Sequence, residues 1–372
     1  MVIQSFLPVL GGAQRQVDLL GPLLQRLGVE LTVITRHTPG TPRRELRAGL
    51  EVWRVPGPAT GPLGSIAYTA GGALALARLR PDVVHVHDLL SPSTIALLAR
   101  PAMRSPVVAK VLSTGPGGDV DRLLTKPFGR SRLRAIASSF SAFICLSSDV
   151  SEELRAEGVP EARLQRIPNG VDTARFRPAD ESERLETRTR LGLPDSRPLV
   201  LYTGRFADVK RLDLLIEAVA YSGELQLALV GEGDEEDRLR KLVMDLGIGD
   251  RVTFLPRADD TAPLYRAADI YASTSSTEGM SNSVLEAMAS GLPVVAAAAS
   301  GMAELVKPQT GVLVEDVNDP AAFAGALQRL AADPETLRLL GTEARALVSS
   351  SYSLDLVADR LRNLYDELLA AA

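Results

Sequence analysis

Short runs of β-branched and apolar residues alternate with amphipathic stretches along most of this chain. Runs at 29–35, 82–87, 106–112 and 141–147 read as strands, and a second series follows at 198–204, 225–231, 251–255, 269–273, 293–297 and 310–315. Several are apolar without alternation, the pattern of strands covered on both faces. Segments at 12–27, 210–221, 235–246 and 319–331 carry apolar residues at helical spacing. Regular alternation of strand and helix predicts an α/β fold with parallel, doubly wound sheets, and two series predict two Rossmann-like domains. Between the series lies TARFRPADESERLETRTR (173–190), polar, charged and marked by proline. This places a linker near Pro168–Asp172 and domains at 1–170 and 171–352. A last helix over 353–369 carries Leu354, Val357, Leu361, Leu364, Tyr365 and Leu368 on one stripe, with no strand after it. Such a stripe must pack on another element.

The 372 residues suffice for two domains, and 45% hydrophobic with 23% charged residues is the balance of an ordinary soluble globular protein. A single cysteine, Cys145, excludes an intramolecular disulfide and a cysteine-rich metal site, which fits a reducing, cytoplasmic compartment. No apolar run reaches the ~20 residues of a spanning helix. The start has no basic leader and enters a strand almost at once, so it reads as clipped. The net charge of −5 is unevenly spread: residues 1–170 hold 20 basic and 13 acidic side chains, the remainder 21 and 33. The basic half suits either an anionic acceptor or lipid surface, or is ordinary surface charge.

The stretch TEGMSNSVLEAMASGLPVV (277–295) sets two acids, Glu278 and Glu286, around small residues. Glu278 follows a strand, at the carboxyl edge where open α/β sheets bind ligands. Gly279, Met280, Ser281 and Asn282 lead into a helix whose N-terminus favours an anion such as a diphosphate. Glu286, about one turn inside that helix, is placed to accept hydroxyls near the anion. Acid, anion cradle, acid suits a sugar joined through a diphosphate to a ribose, with Glu278 on the sugar and Glu286 on the ribose. The competing reading is local: Ser283-Val284-Leu285-Glu286 has the form of a capping box, in which Glu286 turns back to the cap N–H. TGRFADVKRLD (203–213) favours the ligand reading. It too follows a strand, and it brings Arg205 and Lys210 to the same edge, where two cations neutralise a diphosphate and stabilise a leaving nucleotide. Near the start, Gly11-Gly12 is either a plain turn or a cap over the same phosphates. Gly231 and Gly233 lack the third glycine of a dinucleotide fingerprint and read as a turn before an acidic helix start.

With Gly11-Gly12, PNGVD (168–172), GRFADVKR (204–211), FLPRADDTAPLYRAADIY (254–271) and EGMSNSVLEAMASGLPVV (278–295), the chain resembles the GT-B, family 4 glycosyltransferases, most strongly over 198–315. The resemblance implies two Rossmann-like domains facing across a cleft, with the terminal helix crossing back to the first, so that 353–372 is grouped with 1–170. It implies that Arg205 and Lys210 bind the donor diphosphate and that Glu278 faces the donor sugar. The amides of Met280, Ser281 and Asn282 would meet the phosphate or sugar, Glu286 the ribose, and Arg257 would lie near the base. Neither a cofactor nor a metal ion is expected. One departure concerns a histidine that many members carry after the strand at 106–112. Ser113 and Thr114 stand there instead, leaving His85 and His87 as substitutes or as structural residues. DVD (119–121) imitates the metal motif of a different glycosyltransferase fold, but it opens a helix, where carboxylates are favoured in any case. RLLTKPFGRSRLRAIASSF (122–140) gathers Arg122, Lys126, Arg130, Arg132 and Arg134 among Leu123, Leu124, Phe128 and Leu133. It is either a surface for an anionic membrane or a solvated basic face, and Phe128-Gly129 interrupts any single long helix.

The expected protein is a retaining, metal-independent hexosyltransferase of polysaccharide biosynthesis. It would move a sugar from a nucleotide-diphosphate donor, UDP-linked rather than GDP-linked, to a hydroxyl of a glycan, lipid-linked or small-molecule acceptor held by the first domain. It would lie in the cytoplasm or at the inner face of the membrane, without a nucleic-acid partner. The alternatives are a nucleotide-sugar epimerase of the same fold and a non-catalytic nucleotide-sugar-binding subunit.

Overall fold

The computed structural model describes residues 1–9, 11–57, 61–195, 197–299 and 301–371. The chain divides into two units, Met1–Gly170 with Leu354–Ala372, and Val171–Ser353. Each is a twisted sheet with helices on its faces, the Rossmann-like arrangement that the β–α alternation predicts.

The first unit holds β1 (Thr32–Arg36), β2 (Arg44–Arg47), β3 (Leu50–Val55), β4 (Val84–His87), β5 (Val107–Val111), β6 (Ala142–Cys145) and β7 (Leu164–Arg166). β4 to β7 run parallel in sequence order. β1 pairs with β3 in parallel, and β2 closes the edge as an antiparallel hairpin on β3. Val2 bridges both Ile34 and Val86, so the first residues join the two sets of strands. β3 lies outside the predicted series although its Leu50 and Val52 alternate into the core, whereas β2 escaped the sequence pattern for a physical reason. β2 is Arg-Glu-Leu-Arg on a solvated edge, held by its ladder and by the Arg44 guanidinium 4.0 Å over the Trp53 ring. Ala48 and Gly49 turn between its strands with φ of 48° and 84°.

The helix Leu354–Ala370 belongs to this unit. Its Leu354, Val357, Leu361, Leu364 and Tyr365 are buried with Leu20 and Leu24 of the helix Gly12–Arg26, Val108 of β5 and Ile144 of β6. Each such Leu or Val contributes roughly 1.5–3 kcal/mol, enough to hold a helix that has no strand of its own.

The second unit is a six-stranded parallel sheet of β8 (Leu199–Thr203), β9 (Gln226–Val230), β10 (Val252–Leu255), β11 (Ile270–Ser273), β12 (Val294–Ala297) and β13 (Gly311–Val314). The strand order is β10-β9-β8-β11-β12-β13. β8, β9, β11 and β12 are buried along their whole length, which is why they read as unbroken apolar runs. The polar segment after the linker contains a helix, Glu181–Leu191. Ion pairs fasten it instead of an apolar stripe: Arg184 and Arg188 lie 2.7 and 2.6 Å from the two oxygens of Asp269, which also accepts from Leu199 N.

Candidate functional site

In the second unit's sheet the parallel strands deliver their following loops to one edge. β8 and β11 are neighbours there, and hydrogen bonds tie their loops together. Ser276 N donates to the Val209 carbonyl at 3.0 Å, and Thr274 Oγ1 to the Lys210 carbonyl at 2.9 Å. A 3₁₀ turn, Asp208–Lys210, and a left-handed Arg211 (φ 49°) carry the chain into the helix Leu212–Ser222. The Lys210 ammonium thereby meets the Glu278 carboxylate as an ion pair, with 21% and 15% of the side chains exposed. Arg205, on the same loop, is exposed and has no ion-pair partner among the described residues.

The loops after β8 and β9 approach more closely than any side chain allows. A Cβ on Gly231 would stand 1.9 Å from the Gly204 carbonyl oxygen, and one on Gly233 would stand 2.1 Å from that of Phe206. Gly231 and Gly233 are therefore required by contact between loops, beyond the turn expected of them. Arg257, beyond β10, pairs with Glu232 of the β9 loop at 3.2 Å, and both side chains are exposed.

The helix after Glu278 spans Asn282–Ala289, and its cap is Ser281, whose Oγ accepts from Val284 N at 3.5 Å. Ser283 is thus inside the helix, and the Ser283–Glu286 capping box does not form. Glu286 is buried instead, and its Oε2 accepts from Tyr265 Oη at 2.9 Å and Thr261 Oγ1 at 3.4 Å. Gly279, Met280 and Ser281 are buried at the start of this turn. The structure therefore gathers Arg205, Lys210, Arg257, Glu278, Gly279 to Asn282, and Glu286 on one edge of one sheet. Gly12, in the first unit, opens the helix Gly12–Arg26 after an extended Gly11. Thr203 and Tyr265 lie inside the stretches 203–213 and 254–271 but had no role assigned from the sequence, Tyr265 because an aromatic in an apolar helical position looks like ordinary core.

In the first unit, His85 and His87 stack with ring centroids 4.6 Å apart, both 3% exposed. His85 Nδ1 lies 2.6 Å from Tyr365 Oη on the last helix, a structural tie. Burial pushes both imidazoles well below their usual range, helped at His85 by the nearby charge of Lys110 and at His87 by the stacked His85 and then Lys110. Lys110 is itself buried, which brings its amine down to about 8, and it donates to Asn169 Oδ1 at 2.9 Å. Asp119 accepts from Leu112 N at 2.8 Å and Ser113 Oγ at 3.3 Å, and Asp121 from Gly117 N at 2.9 Å. Both carboxylates of the DVD sequence are thus engaged with their own loop. Among the described residues no cluster of His, Cys, Asp and Glu is arranged to hold a metal ion. The basic stretch forms two helices, Asp119–Leu124 and Gly129–Ser139, with Phe128 83% exposed at the turn between them. A cavity of about 270 Å³ opens beside β1, lined by Gln4, Ser5, Arg36, His37 and Thr38 among others.

Two Rossmann-like units, one with acids and cations gathered at the carboxyl edge of its sheet, are the make-up of the GT-B class of sugar-transferring enzymes. Residues 10–175 match the model of Glycosyltransferase Family 4, and residues 183–347 that of Glycosyl transferases group 1. A D-inositol 3-phosphate glycosyltransferase of Streptomyces bingchenggensis is 32% identical over 96% of this chain and 85% of its own length. A GDP-mannose-dependent monoacylated alpha-(1-6)-phosphatidylinositol monomannoside mannosyltransferase of Corynebacterium glutamicum is 31% identical over 73% of each. Among solved structures, sucrose-phosphate synthase from Thermosynechococcus elongatus superposes with a TM-score of 0.86 at 28% identity, covering 100% of this chain and 99% of that one. The chain belongs to the group 1, family 4 glycosyltransferases.

Proposed function

We propose that the protein transfers a glycosyl group, with retention and without a metal ion, from a nucleotide-diphosphate sugar to a hydroxyl of a glycan, lipid-linked or small-molecule acceptor. The observation that carries this reading is the Lys210–Glu278 ion pair beside Arg205 and the start of the helix Asn282–Ala289. In this reading Arg205 and Lys210 take the diphosphate oxygens, with the helix N-terminus adding its dipole. Glu278 accepts hydroxyls of the donor sugar, Glu286 those of the ribose, and Arg257 lies by the base. As the bond from the anomeric carbon to the leaving phosphate breaks, negative charge grows on the diphosphate, where both cations stabilise it. The acceptor hydroxyl attacks from the same face, and its proton passes to the departing phosphate oxygen. The first unit supplies the acceptor site and Gly12, and its cavity beside β1 is a polar place for such an acceptor.

The donor nucleotide in this reading is UDP. GDP is the second reading, because the corynebacterial relative carries GDP-mannose in its name. A thermal-shift panel of UDP, GDP and their sugars decides between them, since a ligand at about 100 times its Kd adds ~2.7 kcal/mol. Product anomers followed by NMR during turnover test retention, and an inverted product overturns it. Release of free sugar without acceptor separates a transferase from a silent binding subunit, and an epimerised donor would mark an epimerase. Turnover that persists in EDTA supports the metal-free reading, and its loss overturns it.

A further inference from the structure

We propose that Tyr265 is a positioning residue for Glu286, and that the Thr203–Tyr265–Glu286 chain sets how strongly the protein discriminates the ribose hydroxyls of its nucleotide. The inference rests on the reading of Glu286 as the ribose-binding acid. Tyr265 sits on the short helix Ala262–Ala267 and is fully buried. A carboxylate can only accept, so the 2.9 Å contact has Tyr265 Oη donating to Glu286 Oε2. Tyr265 Oη also lies 2.6 Å from Thr203 Oγ1, which must then be the donor to it. Thr203 is the last residue of β8, two positions before Arg205. The hydroxyl chain therefore links the strand that launches the cationic loop to the helix that carries the acid.

The ring has little freedom to move. It meets Phe176 edge-on at 5.6 Å and lies 5.8 Å from the Tyr271 ring. Thr261, the cap residue of the same helix, reaches the same Oε2 at 3.4 Å. One helix thus addresses one carboxylate oxygen twice. A glutamate side chain has three rotatable bonds, and ordering it in advance removes part of the entropy otherwise lost on binding. Burial, together with the charge of Glu286, keeps the phenol protonated far above its ordinary range, so the donor persists at any working pH.

Tyr265→Phe preserves the ring packing and deletes the hydroxyl. In the full chain, calorimetric affinities for UDP and 2′,3′-dideoxy-UDP (or the GDP pair, if GDP is the binder) are compared among wild type, Tyr265→Phe and Glu286→Gln. The expected result is that Tyr265→Phe lowers the preference for the ribo form about tenfold, the order of one charge-assisted hydrogen bond. Affinity for the dideoxy form should hold, and donor KM should rise much more than kcat falls. Thr203→Val should shift the preference in the same direction by less, which keeps the test open if Tyr265→Phe folds poorly. If Glu286→Gln loses the preference while Tyr265→Phe and Thr203→Val keep it, Glu286 holds the ribose unaided and the inference is overturned. If Glu286→Gln keeps it as well, the ribose reading itself fails.

Discussion

At the residue scale the central feature is a cation and an acid held against each other while a second cation, Arg205, is left to solvent. Arg205→Ala and Lys210→Ala are each expected to weaken nucleoside diphosphate binding by about 1.5–3 kcal/mol, the range of hydrogen bonds to charged groups, and to leave nucleoside binding unchanged. Equal losses for both ligands, measured by calorimetry, would place these side chains away from phosphate. Glu278→Gln should keep nucleoside diphosphate affinity and lose most transfer, and wild-type kcat would remove Glu278 from the reaction. These candidates were legible because each lies in a loop that follows a strand and leads into a helix, a context with physical meaning. Tyr265 was not, since neither spacing nor composition separates a hydroxyl that orders an acid from an aromatic that fills a core.

A buried histidine pair and a buried aspartate of the first unit give opposite pH dependence. His85 and His87 stay neutral in the fold and take up protons only on unfolding. Their contribution is full above about 6.5, the unfolded value, and falls below it. His87→Asn should therefore flatten the loss of stability below that pH, by up to about 1.4 kcal/mol per pH unit. Burial lifts the Asp119 carboxyl to about 6. The unfolded chain ionises near 3.9, so stability falls as pH rises from about 4 to 6. Asp119→Asn should gain on wild type by roughly 2 kcal/mol over that window. Trp53, the single tryptophan, lies in this unit, and its fluorescence in urea titrations reads both effects.

At the scale of elements, the terminal helix is the piece whose place in the first unit came from the resemblance and not from its own stripe. Its stripe demanded a partner without naming one, and the structure supplies Leu20, Leu24, Val108 and Ile144. Tyr365→Phe would leave His85 Nδ1 buried without its 2.6 Å partner. The expected loss is about 1–3 kcal/mol, seen in the Trp53 transition while donor-nucleotide affinity holds. An unchanged transition would mean that the hydroxyl contributes nothing to docking the helix. The edge strand β2 and the helix Glu181–Leu191 mark the limit of pattern reading from the other side. Both are held by charge and turn geometry, and apolar periodicity carries no trace of such forces.

At the scale of the whole molecule, charge is the property to test. The terminal helix brings two arginines and four acids to the first unit, reducing its basic excess from seven to five. Within the basic stretch, Arg130 is paired with Glu157 and Arg132 donates to the Leu90 carbonyl. Lys126, Phe128 and Arg134 remain exposed around the turn. Among the described residues no helix is long and apolar enough to cross a membrane. If this surface meets anionic lipid, the protein should sediment with anionic vesicles and not neutral ones, and release as salt shortens a screening length of about 10 Å at 0.1 M. Lys126→Gln, Phe128→Ser and Arg134→Gln together should abolish sedimentation. No binding at low salt would dismiss the idea.

The second unit is an insertion: the chain leaves the first unit after Gly170 and returns to it at Leu354, with Val171 and Ser353 bridged side by side. On the ribosome this sets an order of completion. The second unit has all its strands once residue 353 has emerged, and its two ends already meet. The first unit, begun earlier, still shows an apolar groove of Leu20, Leu24, Val108 and Ile144 where the last helix belongs. A chain stalled before that helix would hold a finished second unit and a sticky first one, the kind of surface chaperones engage. The unit synthesised first is thus the last to finish.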